Sequence, residues 1–222
     1  MAILFAPVAT LKQGAVKERR SMFKRIGVYA GTFDPVHTGH IVFALQSMKE
    51  MNLDQVYFLP ERRPRNKQHV EHFAHRVAML KQATRPHPQF KVLELVDVSF
   101  TVERTLSRLN TLFAGDQLVF LFGSDVVMIM PGWSNIDRLL KSSELVIGLR
   151  RRDNQANISD SIKLWDVQPK QLKFINSYAP DVSSGKVREA LRTRHRVAGI
   201  LRSVEKYSDR HWLYISLAID NT

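Results

Sequence analysis

RIGVYAGTFDPVHTGHIVFALQSMKEM, residues 25–51, sets the pattern for the whole chain. It opens on a near-continuous apolar run (RIGVYA), passes through GTFDPVHTGH, and enters a segment where Ile41, Ala44, Leu45, Met48 and Met51 recur at spacings of three and four. The run reads as a strand covered on both faces and the periodic segment as a helix. Outward from this unit, apolar runs return at residues 55–59 (QVYFL), 90–95 (FKVLEL), 117–122 (QLVFLF) and 145–149 (LVIGL). Helical spacing returns over 73–83 through Val77, Leu80 and Ala83, and over 102–113 through Leu106, Leu109, Leu112 and Phe113. Residues 173–176 (KFIN) read as a sixth strand, 153–172 as a linker with one turn of helix, and 202–207 as a last short helix. This alternation predicts an α/β fold: a Rossmann-like, doubly wound parallel sheet with right-handed crossovers, helices on both faces, and ligands at the carboxyl ends of the strands.

At 222 residues, 44% hydrophobic and 24% charged, the chain is long and apolar enough for one sizeable core. Every apolar stretch is broken by charge well short of the roughly 18 residues that a membrane span needs. Cysteine is absent, which excludes disulfides, thiolate metal sites and a thiol nucleophile. A soluble protein of a reducing, cytoplasmic compartment is the expectation.

The net charge of +12 suggests an anionic partner. Residues 1–25 hold six Lys/Arg against one acid and residues 185–211 eight against three, while 26–184 hold nineteen against sixteen. Nucleic-acid coating would spread such an excess along one face, and here it gathers at the ends. Residues 1–24 read as a basic N-terminal extension, poorly ordered or surface-packed, with a transit peptide or membrane-surface helix as the alternative. Residues 25–222 read as one domain, whose helical C-terminal part spans about 183–222.

Within GTFDPVHTGH, Gly31 and Thr32 end the strand, Pro35 stiffens the loop, and Thr38 or Gly39 starts a helix whose first amides face the loop. Such an end accepts anions. His37 and His40, three apart on the first turn, point to one side, where imidazoles can donate to phosphate oxygens and, when cationic, supply charge. A bare HxxH is ordinarily a pair of capping or surface histidines. Zinc would need three or four ligands, and no further His or acid follows at metal-like spacing.

The decapeptide resembles the GGTFDPxHxGH signature of the HxGH nucleotidyltransferases, enzymes that move a nucleoside monophosphate from a triphosphate onto a phosphate-bearing acceptor. The resemblance implies that Gly31, Thr32, Phe33, His37 and His40 line the ATP. Residues 183–188 (SSGKVR) resemble the family's ISSTxIR, which implies that Ser183, Ser184 and Arg188 hold the β- and γ-phosphates. Residues 123–125 (GSD) resemble its GAD, implying Gly123 and Asp125 at the nucleotide ribose, and Arg150 aligns with an arginine near the ATP. Outside that family, SSGKVR is a helix cap with surface charge and GSD an ordinary turn.

Three further segments resemble the nicotinate (nicotinamide) mononucleotide adenylyltransferases. Residues 60–67 (PERRPRNK) are placed like PxxxPPHK, so that Lys67 would meet the acceptor or the triphosphate. Residues 99–101 (SFT) are placed like SYT, implicating Thr101 in acceptor binding. GSDVVMIMPGWSNIDRLL, residues 123–140, parallels GADxxxxxxxWxxxxxLL and puts Trp133 where the family stacks an aromatic on the pyridine. A lone Trp in an apolar stretch is otherwise core packing, but Pro131 and Gly132 argue for a loop.

The sequence also departs from the pattern. Asn66 replaces a histidine, Gly185 replaces the threonine of ISST, and SFTVERTL runs one residue longer than SYTxxTL. The implied reaction is ATP plus nicotinate or nicotinamide mononucleotide giving dinucleotide and pyrophosphate, with His37, His40, Lys67 and Arg188 as the catalytic groups. Mg²⁺ would be held mainly by the ATP phosphates and not by a protein site, and Asp34 would structure the loop. The alternatives are another acceptor (phosphopantetheine or FMN) and a non-catalytic nucleotide- or RNA-binding relative. Neither a nucleic acid nor a membrane span is required, and the sequence leaves the oligomeric state open.

Overall fold

The computed structural model describes residues 23–64, 67–150, 153–176, 182–195 and 198–215. Six strands form one parallel sheet: β1 (Arg25–Gly31), β2 (Gln55–Pro60), β3 (Phe90–Val92), β4 (Gln117–Gly123), β5 (Glu144–Leu149) and β6 (Leu172–Asn176). Their order is β3-β2-β1-β4-β5-β6, the arrangement of a doubly wound nucleotide fold. It reverses direction between β1 and β4, so the loops after these two strands flank a crevice.

Strand β4 shows why continuous apolar runs become central strands. Leu118, Phe120 and Phe122 enter one buried cluster with Ile26, Val28 and Ile147, while Val119 and Leu121 enter the cluster on the opposite face with Phe43, Ala44 and Val146. Both faces are dry, so alternation with polar residues would leave polar groups buried.

Helices α1 (Thr38–Met51), α2 (Phe73–Thr84), α3 (Ser107–Leu112), α4 (Ser124–Val127) and α5 (Ile136–Ser142) are joined by α6 (Gln155–Lys163), α7 (Ser184–Thr193) and α8 (Arg202–Arg210). Helix α6 occupies the stretch expected to be mostly linker. Asn154 caps it by accepting from the N–H groups of Ala156 and Asn157, and only Ile158 and Ile162 are buried, a single i, i+4 pair too sparse to read as a period. Strand β3 is shorter than FKVLEL suggested. Its register sets Val92 opposite Phe58, two residues before Pro60, which has no N–H to continue the ladder.

The expected helix 102–113 is in fact two pieces, a π-helical turn at Val102–Leu106 followed by α3. A π-turn spends one more residue than an α-turn, which absorbs the extra residue of SFTVERTL while Thr105 and Leu106 stay buried. Helix α8 runs three residues beyond the expected end, and no described helix is long and apolar enough to cross a membrane. Most of the basic N-terminal stretch, residues 1–22, lies outside the described residues.

Candidate active site

The loop after β1 is built around Phe33, a buried residue in the left-handed region with φ 51°. Its ring packs edge-on against Tyr29 and against His40, so the aromatic of GTFDP acts as the floor beneath the second histidine. His37 is the N-cap residue of α1, and its ring stacks on that of His40 at 3.8 Å between centroids. The glycine between them answers to the same stack: a Cβ at Gly39 would sit 3.0 Å from the His37 ring.

The His37 N–H donates to His40 Nδ1 at 3.2 Å. In its neutral form His40 therefore carries its proton on Nε2, leaving that N–H as the donor. Burial pushes His37 down to about 4, helped by the charge of Arg150. His40 falls well below the ordinary histidine value, through burial first and then the charges of His37, Lys67 and Arg150. Both rings are thus neutral at pH 7, so of the two roles that the sequence allowed them, hydrogen-bond donation is the one available without added protons. Among the described residues, the buried His37 Nδ1 has no hydrogen-bond partner.

The α1 N-terminus is also less open than the sequence suggested. Thr38 N–H donates to the Gly199 carbonyl at 3.0 Å, and the amides of His40 and Ile41 turn back to His37 O. Among the described residues, the Gly39 amide is the one first-turn N–H without a partner.

Residues distant in sequence complete the cluster. Lys67 Nζ donates to Thr32 Oγ1 at 2.9 Å, which sets the lysine beside the β1 turn. Ser183 caps α7 by accepting from Lys186 N–H, Ser184 Oγ donates to the Pro35 carbonyl at 3.0 Å, and Arg188 Nη1 donates to the Asp34 carbonyl at 2.6 Å. The SSGKVR helix start is therefore docked directly on the GTFDP turn. Asp34 is a loop residue as expected: it is buried, and its Oδ1 accepts from Tyr214 O–H and Glu71 N–H. Across the crevice, the carboxylate of Asp125 pairs with Arg150 at 2.8 Å, close beyond Gly123 at the end of β4. Among the described residues no three acids or histidines cluster as metal ligands.

Thr101 and Trp133 lie apart from the histidines. They line a cavity of about 330 Å³ with Phe100, Val102, Glu103, Arg104 and Ser134. Trp133 follows a 3-10 turn at Met130–Gly132, and its half-buried ring contacts Phe100 and Phe122. Glu61 links the two parts: its N–H donates to Gly31 O, and its Oε1 accepts from Phe100 N–H at 3.0 Å.

A cytidylyltransferase-like family model matches residues 28–190. Nicotinate-nucleotide adenylyltransferase of Bacillus subtilis (strain 168) is 33% identical over 201 residues, covering 87% of this chain and all of that one. The chain belongs to the nicotinate-nucleotide adenylyltransferase family. Two solved structures of Plasmodium falciparum nicotinic acid mononucleotide adenylyltransferase share its fold at a TM-score of 0.70. One is complexed with NaAD at 18% identity and the other with APC at 17%, each spanning 86% of this chain and 97% of theirs.

Against the family pattern, the changes fall unevenly. The extra residue of SFTVERTL lies in the cavity wall, and Gly185 stands at the α7 start, where a Cβ would meet nothing closer than Ser183 Oγ at 3.8 Å. Asn66 lies outside the described residues. Four further residues of the site were given no role from the sequence: Glu61, Arg76, Gly199 and Tyr214. Arg76 is 1% exposed and donates to the carbonyls of Thr32, Arg62 and Glu71, joining the loop after β1 to both ends of the loop after β2. Its signal in the sequence was the similarity of HRVAML, residues 75–80, to the family's second helix.

Proposed function

We propose that this chain transfers AMP from ATP to nicotinate mononucleotide, releasing pyrophosphate in NAD synthesis. The observation that carries this reading is the docking of Ser184 and Arg188 on the carbonyls of Pro35 and Asp34, which joins two phosphate-recognising segments at one strand-end crevice. The family membership supports the choice of acceptor.

In this reading an acceptor phosphate oxygen attacks the α-phosphorus of ATP in line, the bond to the β-phosphate oxygen breaks, and pyrophosphate leaves. The nucleophile is already an anion, so no general base is needed, and catalysis consists of positioning and charge stabilisation. His40 Nε2–H and His37 donate to the reacting phosphate. Lys67, Arg188 and the remaining amide at the α1 start receive the rest of the triphosphate, with Gly31, Thr32, Phe33, Ser183 and Ser184 shaping its bed. Asp125 meets the ribose and Arg150 the phosphates, each exchanging its present partner for substrate. Mg²⁺ enters as part of the ATP substrate. The donor set suits this, because the nearby carboxylate of Asp34 is spent on Tyr214 and Glu71.

The pyridine enters the cavity beside Trp133. Glu103 and Arg104 both line that cavity, so the preference for nicotinate over nicotinamide rests on the family membership. Residues 25–222 constitute the catalytic unit, with the part from 183 closing the phosphate end, and the cytoplasm is its place of action. The experiment is an acceptor panel of nicotinate mononucleotide, nicotinamide mononucleotide, phosphopantetheine and FMN with ATP, products identified by mass. Preferential formation of the nicotinate dinucleotide is expected. Turnover of another acceptor alone, or of none, would overturn the reading.

A further inference from the structure

The turn that follows α8 is made of residues poorly suited to it, and it reaches the loop that carries the histidines. Trp212 and Tyr214 both sit in the left-handed region, at φ 54° and 61°, where large side chains are rare. Strain of this kind persists only where neighbouring contacts over-determine it. Here Leu213 N–H donates to Ser208 O, Ser208 Oγ donates back to Leu213 O, and Leu213 itself is buried. The turn is thereby locked, and Tyr214 is delivered with its O–H 2.7 Å from Asp34 Oδ1.

Asp34 is the residue through which this contact reaches the site. It is 3% exposed, and its carboxylate also accepts from Glu71 N–H and lies 3.6 Å from Arg188 Nη1. Its carbonyl takes the 2.6 Å bond from the same guanidinium. Three residues on stands His37. A second C-terminal contact grips the other end of this loop, where Gly199 O accepts Thr38 N–H. Gly199 has φ +96°, and a Cβ there would lie 2.8 Å from Val182 and 2.9 Å from Thr38 Oγ1, so that only glycine fits.

We propose that Tyr214 is a positioning residue of the adenylyl-transfer site: through Asp34 it fixes the loop that aims His37 and His40, so that the C-terminal turn sets the catalytic geometry without touching substrate. The functional part of this inference rests on the reading given under Proposed function; the positioning part does not. A hydroxyl bound to a buried carboxylate is a strong, charge-assisted contact, and small misplacements of reacting groups are costly in rate.

The test is Tyr214→Phe beside Tyr207→Phe. The second variant removes a hydroxyl that α8 shares with His75 on α2, 3.0 Å away, and leaves the loop contacts in place. Tyr214→Phe is expected to lower kcat for pyrophosphate release about tenfold, with both KM values within about twofold of wild type. Tyr207→Phe should leave turnover unchanged. Ring proton spectra, with the His37 and His40 signals assigned from single substitutions, should move in Tyr214→Phe and not in Tyr207→Phe.

An unchanged kcat in Tyr214→Phe overturns the proposal. So do unmoved ring signals, an equal loss in both variants, or a loss accounted for entirely by a lower folded fraction. If the wild-type protein turns over no acceptor, the functional reading fails on its own, and the ring spectra still decide whether Tyr214 orders the histidine loop.

Discussion

The end of the crevice proposed to take the triphosphate and the end proposed to take the acceptor are built differently. At the phosphate end, Thr32, Asp34, Pro35 and Thr38 are each bonded to a residue from elsewhere in the chain: Lys67 and Arg76, Tyr214 and Arg188, Ser184, and Gly199 respectively. At the acceptor end, the cavity is walled by a π-turn, a 3-10 turn and a half-buried Trp133, whose contacts to the rest include aromatic packing and a bond from Phe100 to Glu61. Charge stabilisation requires fixed dipoles, whereas recognition of a flat ring requires only a stacking surface and shape. The departures from the family pattern fall at both ends: the extra residue of SFTVERTL lets a wall of the cavity bulge, and Gly185 at the α7 start removes a side chain while the Ser184 and Arg188 contacts remain.

The largest effect should come from the rigid end. His40→Ala removes a preorganised donor and should cost on the order of 10²–10³ in kcat with the fold retained, measured as pyrophosphate release. Equal rates for mutant and wild type would break the assignment of chemistry to that end. At the looser end, Trp133→Ala should raise the acceptor KM roughly tenfold through lost stacking, with the ATP KM nearly unchanged. A defect on the ATP side would merge the two ends.

A third expectation concerns pH. His37 titrates near 4 in the folded empty site against about 6.5 when unfolded, and His40 is displaced in the same direction. Between these values the unfolded chain binds more protons, so stability is full above about 6.5 and is lost as pH falls toward 4, by a few kcal/mol at most. Thermal midpoints should drop on acidification through this window. ATP reverses the electrostatics, so its binding at pH 5.5–6.5 should take up protons, read by calorimetry in buffers of different ionisation enthalpy. Proton release would contradict neutral rings. The smallest effect is Gly185→Thr, for which there is open space. It should leave kcat unchanged and lower the ATP KM about two- to threefold, one added neutral hydrogen bond being worth roughly 1 kcal/mol or less.

Legibility in the sequence followed the range of the contacts. The six strands were readable because runs such as QLVFLF bury both faces, and α1 and α2 because their apolar residues fall on one stripe. Helix α6 escaped because it buries only Ile158 and Ile162, and the end of β3 because it depends on Pro60 in a neighbouring strand. His37, His40 and Trp133 stood out through a resemblance carried by contiguous residues. Glu61, Arg76, Gly199 and Tyr214 were given no role, since each acts through contact with a residue far along the chain.

From the sequence alone came the alternation of strand and helix, the crossover order it permits, and the decapeptide that names the reaction. Each is a local property: side-chain period, turn chemistry, or residues adjacent in the chain. Only the tertiary structure decided that the imidazoles are neutral, that most first-turn amides of α1 are bonded within the chain, and that the C-terminal turn holds the histidine loop. Burial, desolvation and hydrogen bonds between residues up to 180 positions apart set these properties, and none exists before the chain closes on itself.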